Sequence, residues 1–164
     1  MTELERALIA DSAATPPSRI LEAMPEDLIH RRLEHVPHTI FQELWHIAFW
    51  QEISVDWIAG RETPYPVHPS AGFASQADIA DEAWDQLRAR FFRTLDEAAA
   101  AARDPAHLED PIRCPSRPGE PIRVMSVREQ LESLAAHNAY HFGRIVLLRQ
   151  LGSAWPPPTG GFTW

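Results

Sequence analysis

His137 and His141 stand four residues apart in the segment Ser126–Gly152. In a helix that spacing stacks two imidazoles on one face, roughly 6 Å apart. They can then converge on one ion at a metal–nitrogen distance of about 2.1 Å. Spacing alone is weak evidence, because eight histidines in 164 residues give about 0.4 such pairs by chance. The surroundings are more telling. On a helical wheel the pair shares its face with Leu134, Ile145 and Leu148, the stripe expected to face a core. Two buried imidazoles without partners cost roughly 1–3 kcal/mol each, and a shared cation satisfies both. His46 has the same character, with Phe49, Trp50, Ile53 and Trp57 as helical neighbours. Three neutral imidazoles with one open position form the donor set of a catalytic metal site rather than a closed structural one. Two readings stay open on spacing: three ligands of one divalent ion, or three core histidines satisfied by ordinary hydrogen bonds. His30, His35, His38, His68 and His107 lie in loop-like, polar or proline-rich stretches and are not expected to touch a metal.

The elements that must position these residues can be read from caps and apolar stripes. Glu3–Asp11 reads as a helix, followed by a turn through Pro16 and Pro17. Ser18–Met24 looks helical and stops at Pro25, and Glu26–His35 holds another short helical turn. Thr39 with Gln42 forms a capping box ahead of Phe41, Leu44, Trp45, Ala48, Phe49, Ile53 and Trp57, with Gly60 as the stop. The prolines at 64, 66 and 69 make Arg61–Ser75 a connecting loop. Asp78 is expected to open one long helix through about Arg103, with a stripe of Trp84, Leu87, Phe91, Leu95, Ala98 and Ala102. Asp104-Pro105 ends it. Pro105–Val124 is a second proline-rich connection, with room for a short hairpin at Pro118-Gly119-Glu120. Ser126 and Glu129 form another capping box, and the last helix runs to about Leu151, with Gly152 after it. Its stripe is Val127, Leu131, Leu134, Asn138, Ile145 and Leu148, and an extended Trp155–Pro158 tail follows. No segment alternates like a strand. The expected fold is therefore all-α, a helical bundle forming one domain over residues 1–164.

Composition narrows the function classes. The hydrophobic fraction of 45% supports a packed core. A net charge of −8 repels phosphate backbones, so no nucleic-acid partner is expected. No basic amphipathic stretch or long apolar run suggests a membrane. The single cysteine and the missing signal-like leader point to the cytoplasm. Cys114, between prolines, reads as a loop thiol rather than a nucleophile.

Two stretches carry a family resemblance. HTIFQELWHIAFWQ (38–51) and SVREQLESLAAHNAYHFGRIVLLRQLG (126–152), continuing through Trp155-Pro156-Pro157, resemble the second and last helices of the DinB/YfiT-like superfamily. The resemblance implies a four-helix bundle with long crossover connections, often a homodimer. It also implies a three-histidine site for zinc, nickel or a similar ion, whose ligands fall on His46, His137 and His141. Relatives often carry Gly-Gln-Ile where this chain has Gly143-Arg144-Ile145. Arg144 either binds an anionic substrate group or, the preferred reading, leaves the bundle or pairs with an acid across an interface. Relatives include enzymes that use a low-molecular-weight thiol such as bacillithiol or mycothiol. The expectation that follows is a metal-dependent thiol S-transferase. The alternatives are a metal-dependent hydrolase using bound hydroxide, and a non-catalytic dimeric metal-binding or stress-associated protein. Glu43, one turn before His46, is a candidate partner for a ligand. Trp155 and Trp164 are candidate anchors of a dimer interface.

Overall fold

A computed structural model describes residues 1–9 and 15–160; the expected end of the first helix at Asp11, and Trp164, lie outside them. Among the described residues the helices are α1 (Glu3–Ile9), α2 (Pro17–Ile20), α3 (Glu26–Ile29), α4 (Ile40–Ile58), α5 (Gln76–Asp81), α6 (Trp84–Ala102) and α7 (Val127–Leu151). A 3₁₀ turn spans Pro69–Gly72, and strands β1 (Pro111–Cys114) and β2 (Arg123–Ser126) lie between α6 and α7. The protein is mostly helical, with one small two-stranded sheet.

Helix α4 is the central element. Thr39 Oγ accepts the Gln42 amide while Gln42 Oε1 accepts the Thr39 amide, so the cap is reciprocal. Gly60, with φ +78°, takes the left-handed conformation just past the helix, where a side chain would be strained. Ile40, Phe41, Leu44, Ile47, Ala48, Ile53 and Trp57 are all buried. Residues on every side of α4 are covered because α6 and α7 both pack against it. Short α1 packs against α6 and α7 in turn.

The long helix expected from Asp78 is two helices. Ser75, not Asp78, is the cap of α5, and Asp78 is its reciprocal partner. No residue of α5 is buried, so nothing carries this helix onward as one rod. Glu82 is extended, and α6 restarts at Trp84 with Gln86 Oε1 accepting the Ala83 amide. From there the predicted stripe is in place: Leu87, Phe91, Leu95, Ala98 and Ala102 are buried.

The all-helical expectation needs one addition. β1 and β2 pair antiparallel, with Ile112 opposite Met125 and Cys114 opposite Arg123. Gly119 (φ +89°) lies in the loop between them, where the hairpin was anticipated. Four-residue strands are too short to announce themselves by alternation. The pairing takes Cys114 out of a loop and into the core, fully buried, with its thiol 3.8 Å from Gln130 Oε1.

At the far end of α7, Arg149 is buried. Its guanidinium donates to the carbonyls of Ile20, Glu22 and Ala154 and lies 5.5 Å over the Trp155 ring. Trp155 is thus half-buried against the core. Among the described residues, no helix is long and apolar enough to cross a membrane.

Candidate metal centre

His46 sits in the second turn of α4, and His137 and His141 sit in mid-α7, the helix that packs along it. The three rings meet. His46 lies 5.0 Å from His137 and 4.4 Å from His141 between centroids, and His137 lies 4.6 Å from His141. One potential ligand atom from each falls within 4.8 Å of the others. His46 and His141 are buried and His137 is partly so.

The outer nitrogens show how the rings are held. His46 Nδ1 donates to the Gly72 carbonyl at 2.6 Å. His141 Nδ1 donates to Glu43 Oε2 at 2.7 Å. In a neutral imidazole such a bond fixes the tautomer and leaves the Nε2 lone pair free. His137 is held less firmly, since its Nδ1 lies 3.4 Å from Asn138 Oδ1. The Nε2 atoms of His46 and His137 face each other at 3.0 Å. That separation suits two nitrogens each about 2.1 Å from a common ion. An all-imidazole donor set fits zinc or nickel better than magnesium or calcium. The three histidines could therefore hold a metal ion.

Burial and neighbouring charge keep His46 and His137 in the form a metal needs. Burial, with the positive charge that His141 and His137 would carry, pushes the His46 pKa down to about 4 against the pull of the Gly72 carbonyl. Burial and His141 push His137 down to about 4 as well. Both are neutral at pH 7. Glu43 is fully buried. Burial alone would raise its carboxyl, but hydrogen bonds from His141 and Arg144, and the charge of Arg144, outweigh it and hold the group below the usual carboxylate range.

Arg144, the departure from the family pattern, is occupied by this network. Its Nε donates to Glu43 Oε1 at 2.7 Å, so it pairs with an acid across the α4–α7 contact. Two residues that sequence reading did not single out also shape the site. Gly72 supplies the carbonyl for His46, and a Cβ there would stand 3.2 Å from Trp50 Nε1 and 3.5 Å from His46 Nδ1. Phe73 stacks between His46 (4.0 Å) and His38 (3.8 Å). Both belong to the loop after α4, which no local pattern ties to His46. The other histidines read as non-ligands lie outside the cluster.

All three imidazoles line a pocket of about 370 Å³, walled by Trp50, Trp57, Tyr65 and Met125, with Arg123 and the hydrogen-bonded pair Ser54–Gln130 also in its lining. A second cavity of about 300 Å³, between α1, α2 and α7, is lined mostly by apolar groups such as Leu8, Ile20 and Phe142 and holds no titratable side chain.

Fold and site together define a mostly helical protein with a histidine trio that could bind a metal. The family model of the DinB superfamily matches residues 18–145, a span that includes all three histidines. The chain belongs to the DinB superfamily. The comparison with curated proteins found no match.

Proposed function

We propose that this chain is a metal-dependent enzyme in which His46, His137 and His141 hold one divalent transition metal, zinc or nickel, and that it transfers a low-molecular-weight thiol. The observation that carries the reading is the meeting of imidazoles from α4 and α7 at the wall of an open pocket. When bound, the ion supplies Lewis acidity, lowering the pKa of a thiol or water to give a nucleophile near neutral pH.

The residues of the chain do the rest. Gly72 and Glu43 aim His46 and His141. Trp50, Trp57 and Tyr65 wall the pocket with low-dielectric aromatic surface, which strengthens electrostatic interactions beside it. A free thiol, with a pKa of about 8.5, needs only a modest shift to ionise at neutral pH. Hydrolysis is the rival reaction at this centre. It uses bound hydroxide, needs the same three ligands and requires no thiol. A purely structural, non-catalytic ion would not need a pocket at its side.

The same proposal covers the larger architecture. α1, α4, α6 and α7 are read as a four-helix bundle with long crossovers, supported by the packing of α1 and α4 on both α6 and α7. A homodimer is supported by Tyr140, Leu147 and Leu151, exposed along α7. A cytoplasmic setting fits the one buried, unpaired cysteine.

The experiment is an assay of the zinc- or nickel-loaded protein with monochlorobimane and a panel of small thiols that includes cysteine, bacillithiol and mycothiol. The expected result is conjugation that a chelator abolishes and added metal restores. Loaded protein that is inert with every thiol contradicts the transferase reading.

A further inference from the structure

The histidine pocket carries one cation that the metal reading does not use. Arg113 and Arg128, near Arg123 on the same hairpin and the adjoining helix, pair with Glu62 and Glu109, and Arg144 pairs with Glu43. Arg123 has no ion pair or side-chain hydrogen bond among the described residues. It is exposed at the start of β2 and lines the pocket. In a chain with 23 acidic and 15 basic residues, a pocket lined by an unpaired arginine and no acid runs against the overall balance.

Beside the histidines and the polar Ser54, Gln130 and Ser133, the lining offers a flat apolar wall. Trp50 and Tyr65 stand 5.1 Å apart between ring centroids, with Trp57 and Met125 beside them. A lone guanidinium offers a planar fork that matches a carboxylate and balances one negative charge. A phosphate dianion would leave one negative charge unmatched by this single guanidinium. We infer that the pocket binds a small organic carboxylate with an aromatic or apolar body: Arg123 grips the carboxylate, the Trp50–Tyr65 wall takes the body, and the other end faces the histidines. The inference deepens the proposed function, because the histidine trio is taken as the reactive end. Arg123 is then a specificity residue.

The test titrates 4-phenylbutyrate and its neutral amide, 4-phenylbutyramide, into zinc-treated and chelator-treated protein, followed by tryptophan fluorescence and calorimetry. The acid is expected to bind about tenfold more tightly than the amide. Arg123→Gln should erase that preference while leaving zinc affinity and amide binding unchanged. Equal binding of acid and amide to the native protein overturns the inference. So does an acid preference that survives Arg123→Gln, which would place the carboxylate on the metal. Binding of neither probe at millimolar concentration overturns it too. The two readings fail separately. If the trio holds no metal, zinc-treated and chelated protein behave alike, yet the Arg123-dependent preference persists. If zinc binds and the preference is absent, the carboxylate site alone is wrong.

Discussion

The Glu43 carboxylate, with no exposed surface, accepts a hydrogen bond from His141 Nδ1 at 2.7 Å across the α4–α7 contact. Its other oxygen accepts from Arg144 Nε at the same distance. One buried acid thus orients an imidazole and holds a cation, joining the two helices that carry the histidine trio.

Glu43→Gln keeps the shape of that acid and removes its charge. Partners that orient metal-bound histidines are worth about 10–100-fold in metal affinity. Zinc affinity of Glu43→Gln should therefore fall by a factor in that range, read by competition with a chromophoric chelator. Unchanged affinity would mean that His141 does not depend on Glu43 for its orientation.

The metal-free protein should lose stability in acid over a defined window. His46 and His137 titrate at about 4 when folded, against an ordinary 6.5. Between about pH 6.5 and about pH 4 the unfolded chain binds more protons than the folded one, so stability falls as pH drops. Above that window both rings are neutral in either state; below it both are protonated. The double substitution His46→Ala/His137→Ala should flatten the decline of Tm with pH across the window. An unchanged slope in the double variant would show that the rings are not held neutral by the fold.

Cys114 should be chemically inert in the native protein. It is fully buried, and burial pushes its thiol pKa up, against a smaller opposing pull from Arg123. Alkylation by iodoacetamide at mildly alkaline pH should be slow until denaturant is added, and Cys114→Ser should keep thiol-transfer activity. Rapid labelling of the folded protein would contradict the burial and reopen a nucleophilic role.

Gly152 is a point where α7 meets α3. A Cβ there would stand 2.5 Å and 2.7 Å from the two methyls of Leu28. Gly152→Ala forces that side chain, fully buried in the core, to move, and overpacking of this kind costs about 1–3 kcal/mol. Urea unfolding should show the loss; a wild-type midpoint would mean that the Leu28 site yields freely.

What the amino-acid order revealed, and what it hid, follows from range. The three histidines could be found because each lies on a long helix whose caps, Thr39–Gln42 and Ser126–Glu129, and apolar stripes are local signals. Glu43 is a candidate by helical spacing and Arg144 by its departure from the family pattern, but their mutual pairing needs the crossing of α4 and α7. Gly72 lies 26 residues from His46 in sequence and inside a proline-marked loop, where no periodicity points inward. Arg123 and Met125 reach the pocket only because β2 pairs with β1, a four-residue ladder with too few positions to show alternation. The division of α5 from α6 was hidden because helical propensity runs through Glu82, while burial begins only at Leu87.

Metal titration of the native chain and of His137→Ala bears most directly on the shared centre. After chelation and dialysis, zinc or nickel should bind to the native protein at one ion per chain, and His137→Ala should weaken that binding by at least about 100-fold, since one of three ligands is gone. Native protein that takes up neither ion, or a His137→Ala variant that binds as tightly as the native chain, would contradict the account.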